Sequence, residues 1–222
     1  MTSQRTNPLH VMRRRYDEFA STYVGTWAKL EGYSAFVTDF LGRSVREGDS
    51  VLDVGCGPGH LTAGLMPSAR VVGIDLSSRM IEAARAARPS GTYVVHDYYE
   101  PVPSDLGKFD VVVAVGALDF CEDLPLVLGH LQRACRRGAR LLVNLIERRA
   151  GTRGHEGARL PITPERMPGV DLVLYDLGEM IRAFDASSLS ACRYAHYKGY
   201  HNQFHGLDIE YALWELAASS QP

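Results

Sequence analysis

The chain has little cysteine, almost no lysine and no long apolar run. Its four cysteines, Cys56, Cys121, Cys135 and Cys192, are scattered without a Cys-x-x-Cys pair, which argues against a disulfide framework or a zinc ribbon. Lysine stands only at Lys29, Lys108 and Lys198. With plentiful Ala and Gly, that arginine bias points to a high-GC bacterial coding sequence. No segment approaches the length of a membrane span, and the N-terminus lacks the apolar stretch of a signal peptide. A cytoplasmic protein with no membrane partner is the expectation. A net charge of −2 over 222 residues leaves no global bias towards nucleic acid. The local runs "RRR" at 13–15 and "RACRRGAR" ending at Arg140 read as solvated helix faces. No repeat, low-complexity tract or linker interrupts the chain, so a single domain over 1–222 is expected.

What is present is a rhythm. From about Val51, the runs "SVLDVG", "RVVGIDL", "TYVVHD", "FDVVVAVG" and "RLLVNLI" are separated by helical patterns such as "SSRMIEAARAAR" and "LPLVLGHLQRAC". The runs are continuous in Val, Ile and Leu, as strands buried on both faces require. Strand, helix, strand in this order implies right-handed crossovers and an open, doubly wound α/β sheet. Two helical stretches precede it, roughly 8–30 and 33–42. The first carries Tyr16, Phe19, Tyr23 and Trp27 at helical spacing, a stripe expected to face the core. Residues 147–170 are irregular, long enough to be mobile or functional. "DLGEMIRAF" reads as a helix capped by Asp176, "LSACRYAHY" as a sixth strand, and "IEYALWELA" as a seventh.

The informative stretch is "VLDVGCGPGH". A buried strand runs into Gly55, Gly57 and Gly59 and then, on this reading, into a helix whose free N–H groups face a ligand. A dinucleotide loop has a glycine where this chain has His60. Asp53, near the end of an apolar strand, is poorly placed beside a pyrophosphate. It suits a cationic or zwitterionic ligand, and it could order the loop by accepting its N–H groups. Asp75 follows the loop at the distance that serves ribose hydroxyls. Asp97 can accept from an exocyclic adenine amine, with Tyr98 flanking the ring.

Together, "LDVGCGPG", the acidic "GIDLS", the "HD" after strand three, "FDVVVAVGALDF" and "RRGARLLVN" resemble the class I S-adenosylmethionine-dependent methyltransferases, over about residues 49–146. A looser likeness covers "RYDEFASTY". The resemblance implies a Rossmann-like, seven-stranded, mostly parallel sheet with helices on both faces. An N-terminal helical cap (1–44), a cofactor-binding core (45–146) and a substrate side (147–222) would divide the domain. It implies S-adenosyl-L-methionine as cofactor, held by Tyr16, Asp53, Gly55, Gly57, Gly59, Asp75, Leu76, Met80, Asp97, Tyr98 and Gly116. The implied activity is methyl transfer to oxygen or nitrogen of a small-molecule acceptor; the compositional bias alone suggests bacterial secondary metabolism as its context. The alternative is a non-methylating rearrangement or cyclisation on the same fold. The sequence departs from the family at "GALDFCED", where many members carry a Glu-His pair. Asp119 there is either a substrate contact or a helix cap.

Methyl transfer from a sulfonium needs positioning and at most a general base. No metal is required, and Asn144, Glu147 and Asp119 have no spacing of a ligand set. In this fold, ligands bind outside the carboxyl ends of the parallel strands. The connection between strands six and seven, "AHYKGYHNQFHG", would emerge there. Three readings stay open for it: packing, a metal pair, or a substrate wall of Tyr197, Tyr200 and Phe204 with His201 or His205 as base.

Overall fold

The computed structural model describes residues 8–23, 31–65, 67–149, 157–162, 167, 169–202 and 205–219. Among these residues, the helices α1 (Pro8–Phe19) and α2 (Glu31–Ser44) precede the sheet. The sheet follows: β1 (Ser50–Val54), β2 (Arg70–Asp75), α3 (Ser78–Ala87), β3 (Thr92–Val95), β4 (Phe109–Ala114), α4 (Leu124–Ala134) and β5 (Cys135–Glu147). Beyond it lie β6 (Arg159–Pro161), β7 (Asp171–Tyr175), α5 (Leu177–Ala186), β8 (Leu189–Asn202) and β9 (Leu207–Ala218).

The first five strands are parallel in the order β3-β2-β1-β4-β5. Alternate residues of each strand feed opposite cores, as the period of two dictates. Leu52, Val54, Val112 and Leu141 pack with α4 and α5. Val51, Val111, Val113 and Leu142 pack with Val37, Phe40 and Leu41 of α2. Continuous apolar strands thus bury both faces. β9 runs antiparallel along β5, and β8 antiparallel along β9, so β8 is parallel to β5. The expected sixth and seventh strands are in place as one long hairpin. The described sheet holds nine strands rather than seven. β7 joins the end of β5 in parallel and β6 pairs antiparallel with β7, within and just after the segment that reads as irregular.

Two expectations fail on helices. α1 stops at Phe19, because the backbone N–H and hydroxyl of Thr22 both donate to the Phe19 carbonyl and close a turn. Trp27 lies outside the described residues. No α-helix follows the glycine loop among the described residues: positions 57–65 are turns. The seven residues between Gly59 and Pro67 include Gly64. A helix that short is marginal, glycine weakens it further, and proline ends it. None of the described helices is long and apolar enough to cross a membrane.

Candidate functional site

The switch point of the sheet falls between β1 and β4, whose following turns leave in opposite directions. Parallel register sets Val54 beside Ile74 and Asp75 beside Val95. Gly55, Asp75 and Asp97 therefore come off the carboxyl ends of three adjacent strands, each strand about 5 Å from the next. They open on a cleft of about 660 Å³ walled by the β1 loop, the β2 and β3 ends, residues 116–120 and α1.

Among the residues expected to hold the cofactor, Tyr16, Gly55, Gly57, Asp75, Leu76, Met80, Asp97, Tyr98 and Gly116 line this cleft. Asp53 and Gly59 do not. Gly59 packs against Ala84 and Tyr93 with φ of +75°. Gly55 also has a positive φ, and a Cβ there would lie 2.5 Å from that of Ala117. Only glycine lets the β1 and β4 turns approach so closely.

The loop is ordered by Asp75 rather than by Asp53. Asp75 accepts from the Gly57 N–H at 2.9 Å and from the Ser77 N–H at 2.8 Å. Burial nevertheless raises its pKa, against those two hydrogen bonds. Asp53 is buried behind the loop, accepting from the Thr62 hydroxyl at 2.9 Å, while its Oδ1 has no partner. Its pKa is pushed up to about 7 by burial. Asp97 accepts from the Tyr99 N–H at 3.0 Å.

The helix α1 is a wall of the cleft, contributing Leu9, Met12 and Tyr16, and Tyr23 follows just beyond it. The aromatic stripe expected to face the core therefore divides: Tyr16 and Tyr23 face the cleft, whereas Phe19 carries the Arg15 guanidinium over its ring. The spacing 9, 12, 16 was the available signal for this face. Asp17 fastens α1 to the start of α3 by accepting from the Ser77 hydroxyl and the Arg79 N–H. His96, Ala117 and Phe120 also line the cleft, and sequence reasoning assigned no role to their side chains.

Residues 116–122 are held from several elements. The Gly116 N–H donates to Asn144 Oδ1 at 2.7 Å, and Asn144 donates in turn to the Tyr197 hydroxyl at 3.2 Å. Tyr99 and Tyr175 donate to the carbonyls of Phe120 and Cys121. Tyr197 stacks on its cross-strand partner Tyr211, centroids 5.2 Å apart. Gly199 makes room for that ring, since a Cβ would lie 2.4 Å from it. Tyr211 donates to Asp119 Oδ2 at 2.9 Å. The helix cap of α4 is Asp123, which accepts from the Leu126 N–H. Of the two expectations for Asp119, capping is thus removed.

The hairpin histidines stand apart. His201 is exposed and pairs through Nδ1 with Asp208 at 2.9 Å. His205 donates from Nε2 to the Pro161 carbonyl. Neither lines the cleft. Tyr197 lies behind the cleft, Tyr200 is half-buried in the cluster of Ile146, Leu174 and Tyr211, and Phe204 lies outside the described residues. The register shift between Lys198 and His201 breaks the alternation that would otherwise have predicted these faces.

Residues 51–138 match a sequence family described as "Methyltransferase domain". A trans-aconitate 2-methyltransferase from Azoarcus is 33% identical over 111 residues, which cover 48% of this chain and 43% of that enzyme. The match thus spans less than half the relative's length. Among solved structures, a 1,6-didemethyltoxoflavin N1-methyltransferase from Burkholderia thailandensis aligns with a TM-score of 0.70 at 15% identity, covering 99% of this chain and 94% of that one. The [4+2]-cyclase SpnF aligns with a TM-score of 0.72 at 15% identity, covering 95% and 96%. At those identities the likeness is one of fold. A glycine loop and two strand-end acids thus meet on one cleft, residues 51–138 match a methyltransferase domain, and the fold around them is shared with a solved methyltransferase.

Proposed function

We propose that the chain transfers a methyl group from S-adenosylmethionine to an oxygen or nitrogen of a small molecule. The observation that carries this reading is the meeting of Gly57, Asp75 and Asp97 on one cleft. The donor set fits the cofactor. Asp75 and Asp97 offer carboxylate acceptors for hydroxyls and an amine, and Leu76, Met80 and Tyr98 give an apolar bed between them. When bound, the cofactor supplies an activated methyl on a sulfonium. The chain's own part is to bind, orient and exclude water. Asp75 fixes the loop while facing the cleft, and α1 covers it from the N-terminal side.

A small acceptor is supported by the near-neutral charge, which offers no basic track for nucleic acid. The Burkholderia enzyme of the same fold holds a small molecule, 1,6-didemethyltoxoflavin, beside S-adenosylhomocysteine. The arginine, alanine and glycine bias supports bacterial secondary metabolism as the context. Because a [4+2]-cyclase shares the fold, the product must be weighed: a mass one methyl heavier than the acceptor marks transfer, and an unchanged mass marks rearrangement.

Titration calorimetry tests the cofactor half. The protein is expected to bind S-adenosylmethionine, with Asp75→Ala weakening binding at least about tenfold, the loss of one or two charge-assisted hydrogen bonds. Equal affinity in the variant defeats the assignment of Asp75.

A further inference from the structure

Asp119 is a buried carboxyl next to the cleft, not itself on its lining, that cofactor binding does not use. It lies on a single 3₁₀ turn, Leu118–Phe120, two residues after Ala117 and one before Phe120, both on the cleft wall. Its Oδ2 is held by the Tyr211 hydroxyl, while Oδ1 is enclosed and has no partner. Enclosure raises the carboxyl's pKa to about 6. The ionisable groups around it are tyrosines: Tyr211 in contact, with Tyr16 and Tyr200 within electrostatic reach. Among the described residues no Lys, Arg or His pairs with it. Tyr16 lines the cleft and meets Phe120 edge-on at 6.4 Å. The corner is therefore an aromatic box with one carboxyl whose second oxygen awaits a donor.

Given the methyl-transfer reading, on which this inference rests, we propose that Asp119 recognises the acceptor by taking the proton of an uncharged aromatic O–H or N–H nucleophile. The geometry selects the class. An unpartnered acceptor oxygen calls for a donor, and tyrosine and phenylalanine faces call for a ring. A carboxylate acceptor would set like charges together with no cation to offset them. Acids such as the trans-aconitate of the Azoarcus relative are thus excluded. As the acceptor's lone pair forms the new bond to the methyl carbon, the carbon–sulfur pair returns to sulfur and the acceptor's proton passes to Oδ1. The products are the methylated acceptor, the neutral thioether and a protonated Asp119. Tyr211 holds the carboxyl's other oxygen throughout.

The test uses the full chain saturated with S-adenosylhomocysteine, titrated with phenol and with benzoate at pH 8 and followed by ligand-observed NMR. Phenol is expected to bind at least about tenfold more tightly than benzoate. In Asp119→Asn the preference should shrink to about threefold or less, with S-adenosylhomocysteine affinity unchanged as the sign of an intact fold. Benzoate binding as well as phenol, neither probe binding, or a preference that survives Asp119→Asn overturns the proposal. The wild-type preference decides the matter even if the variant does not fold. Failure of the wild type to bind S-adenosylhomocysteine overturns the methyl-transfer reading instead, a separate result.

Discussion

Asp53 and Asp75 lie on neighbouring strands, and both have carboxyls raised by burial, yet only Asp75 reaches the cleft. For Asp53 the consequence is one of stability. Its folded pKa of about 7 exceeds the ordinary value of 3.8. Between those values the folded state holds a proton that the unfolded chain has released, so stability falls as pH rises through that window. Asp53→Asn cannot ionise, and its carbonyl can still accept from the Thr62 hydroxyl. The variant is expected to melt a few degrees above the wild type at pH 8 in the ligand-free state, with the gap closing towards pH 5. Differential scanning calorimetry at both pH values checks this. A constant gap would mean that Asp53 does not titrate in the window. Asp53 was conspicuous in the sequence as a charge in an apolar strand. Its actual partner, Thr62, was not, because the eight intervening residues conceal how the turn folds back.

At the scale of elements, what the sequence made legible was whatever repeats. Continuous Val and Ile runs announce β1–β5, and the position of an acid at a strand's end follows from the strand alone. Elements set by tertiary partners stayed hidden. β7 pairs with the end of β5 and β6 pairs with β7, within and just after an irregular stretch, and no alternation of their own marks them. The stretch after Gly59 has the apolar content of a helix, but Gly64 and Pro67 leave too little chain to form one. The face of α1 was ambiguous because a core and a ligand select the same residue types. The role of α1 as a wall gives a prediction at this scale. Asp17 joins it to the α3 N-terminus through Ser77 and Arg79. Asp17→Ala removes both bonds while leaving every cleft residue in place. S-adenosylmethionine affinity should fall about three- to tenfold, and amide exchange across α1 should quicken. Unchanged exchange in α1 would show that its apolar face alone holds it.

For the molecule as a whole, the cleft is where distant parts of the chain are made to cooperate. α1 meets the start of α3 through Asp17, and Tyr16 meets Phe120 of the β4 turn. That turn is fixed in its own right by Asn144 of β5 and Tyr211 of β9. A ligand in the cleft contacts the N-terminal helix, three strand ends and the β4 turn at once. Binding there should consequently act on global unfolding rather than on one loop. A ligand at a hundred times its dissociation constant adds about 2.7 kcal/mol, or about 5–11 °C in Tm for a chain of this size. S-adenosylhomocysteine, which leaves the transferable methyl out of the comparison, is the suitable ligand, and thermal scanning at saturating concentration is the measurement. In Asp75→Ala the shift at the same concentration should shrink to a few degrees at most. A normal shift in Asp75→Ala would place the binding energy elsewhere in the cleft. No shift in wild type, with binding shown independently, would mean that the N-terminal helix unfolds separately from the sheet it covers.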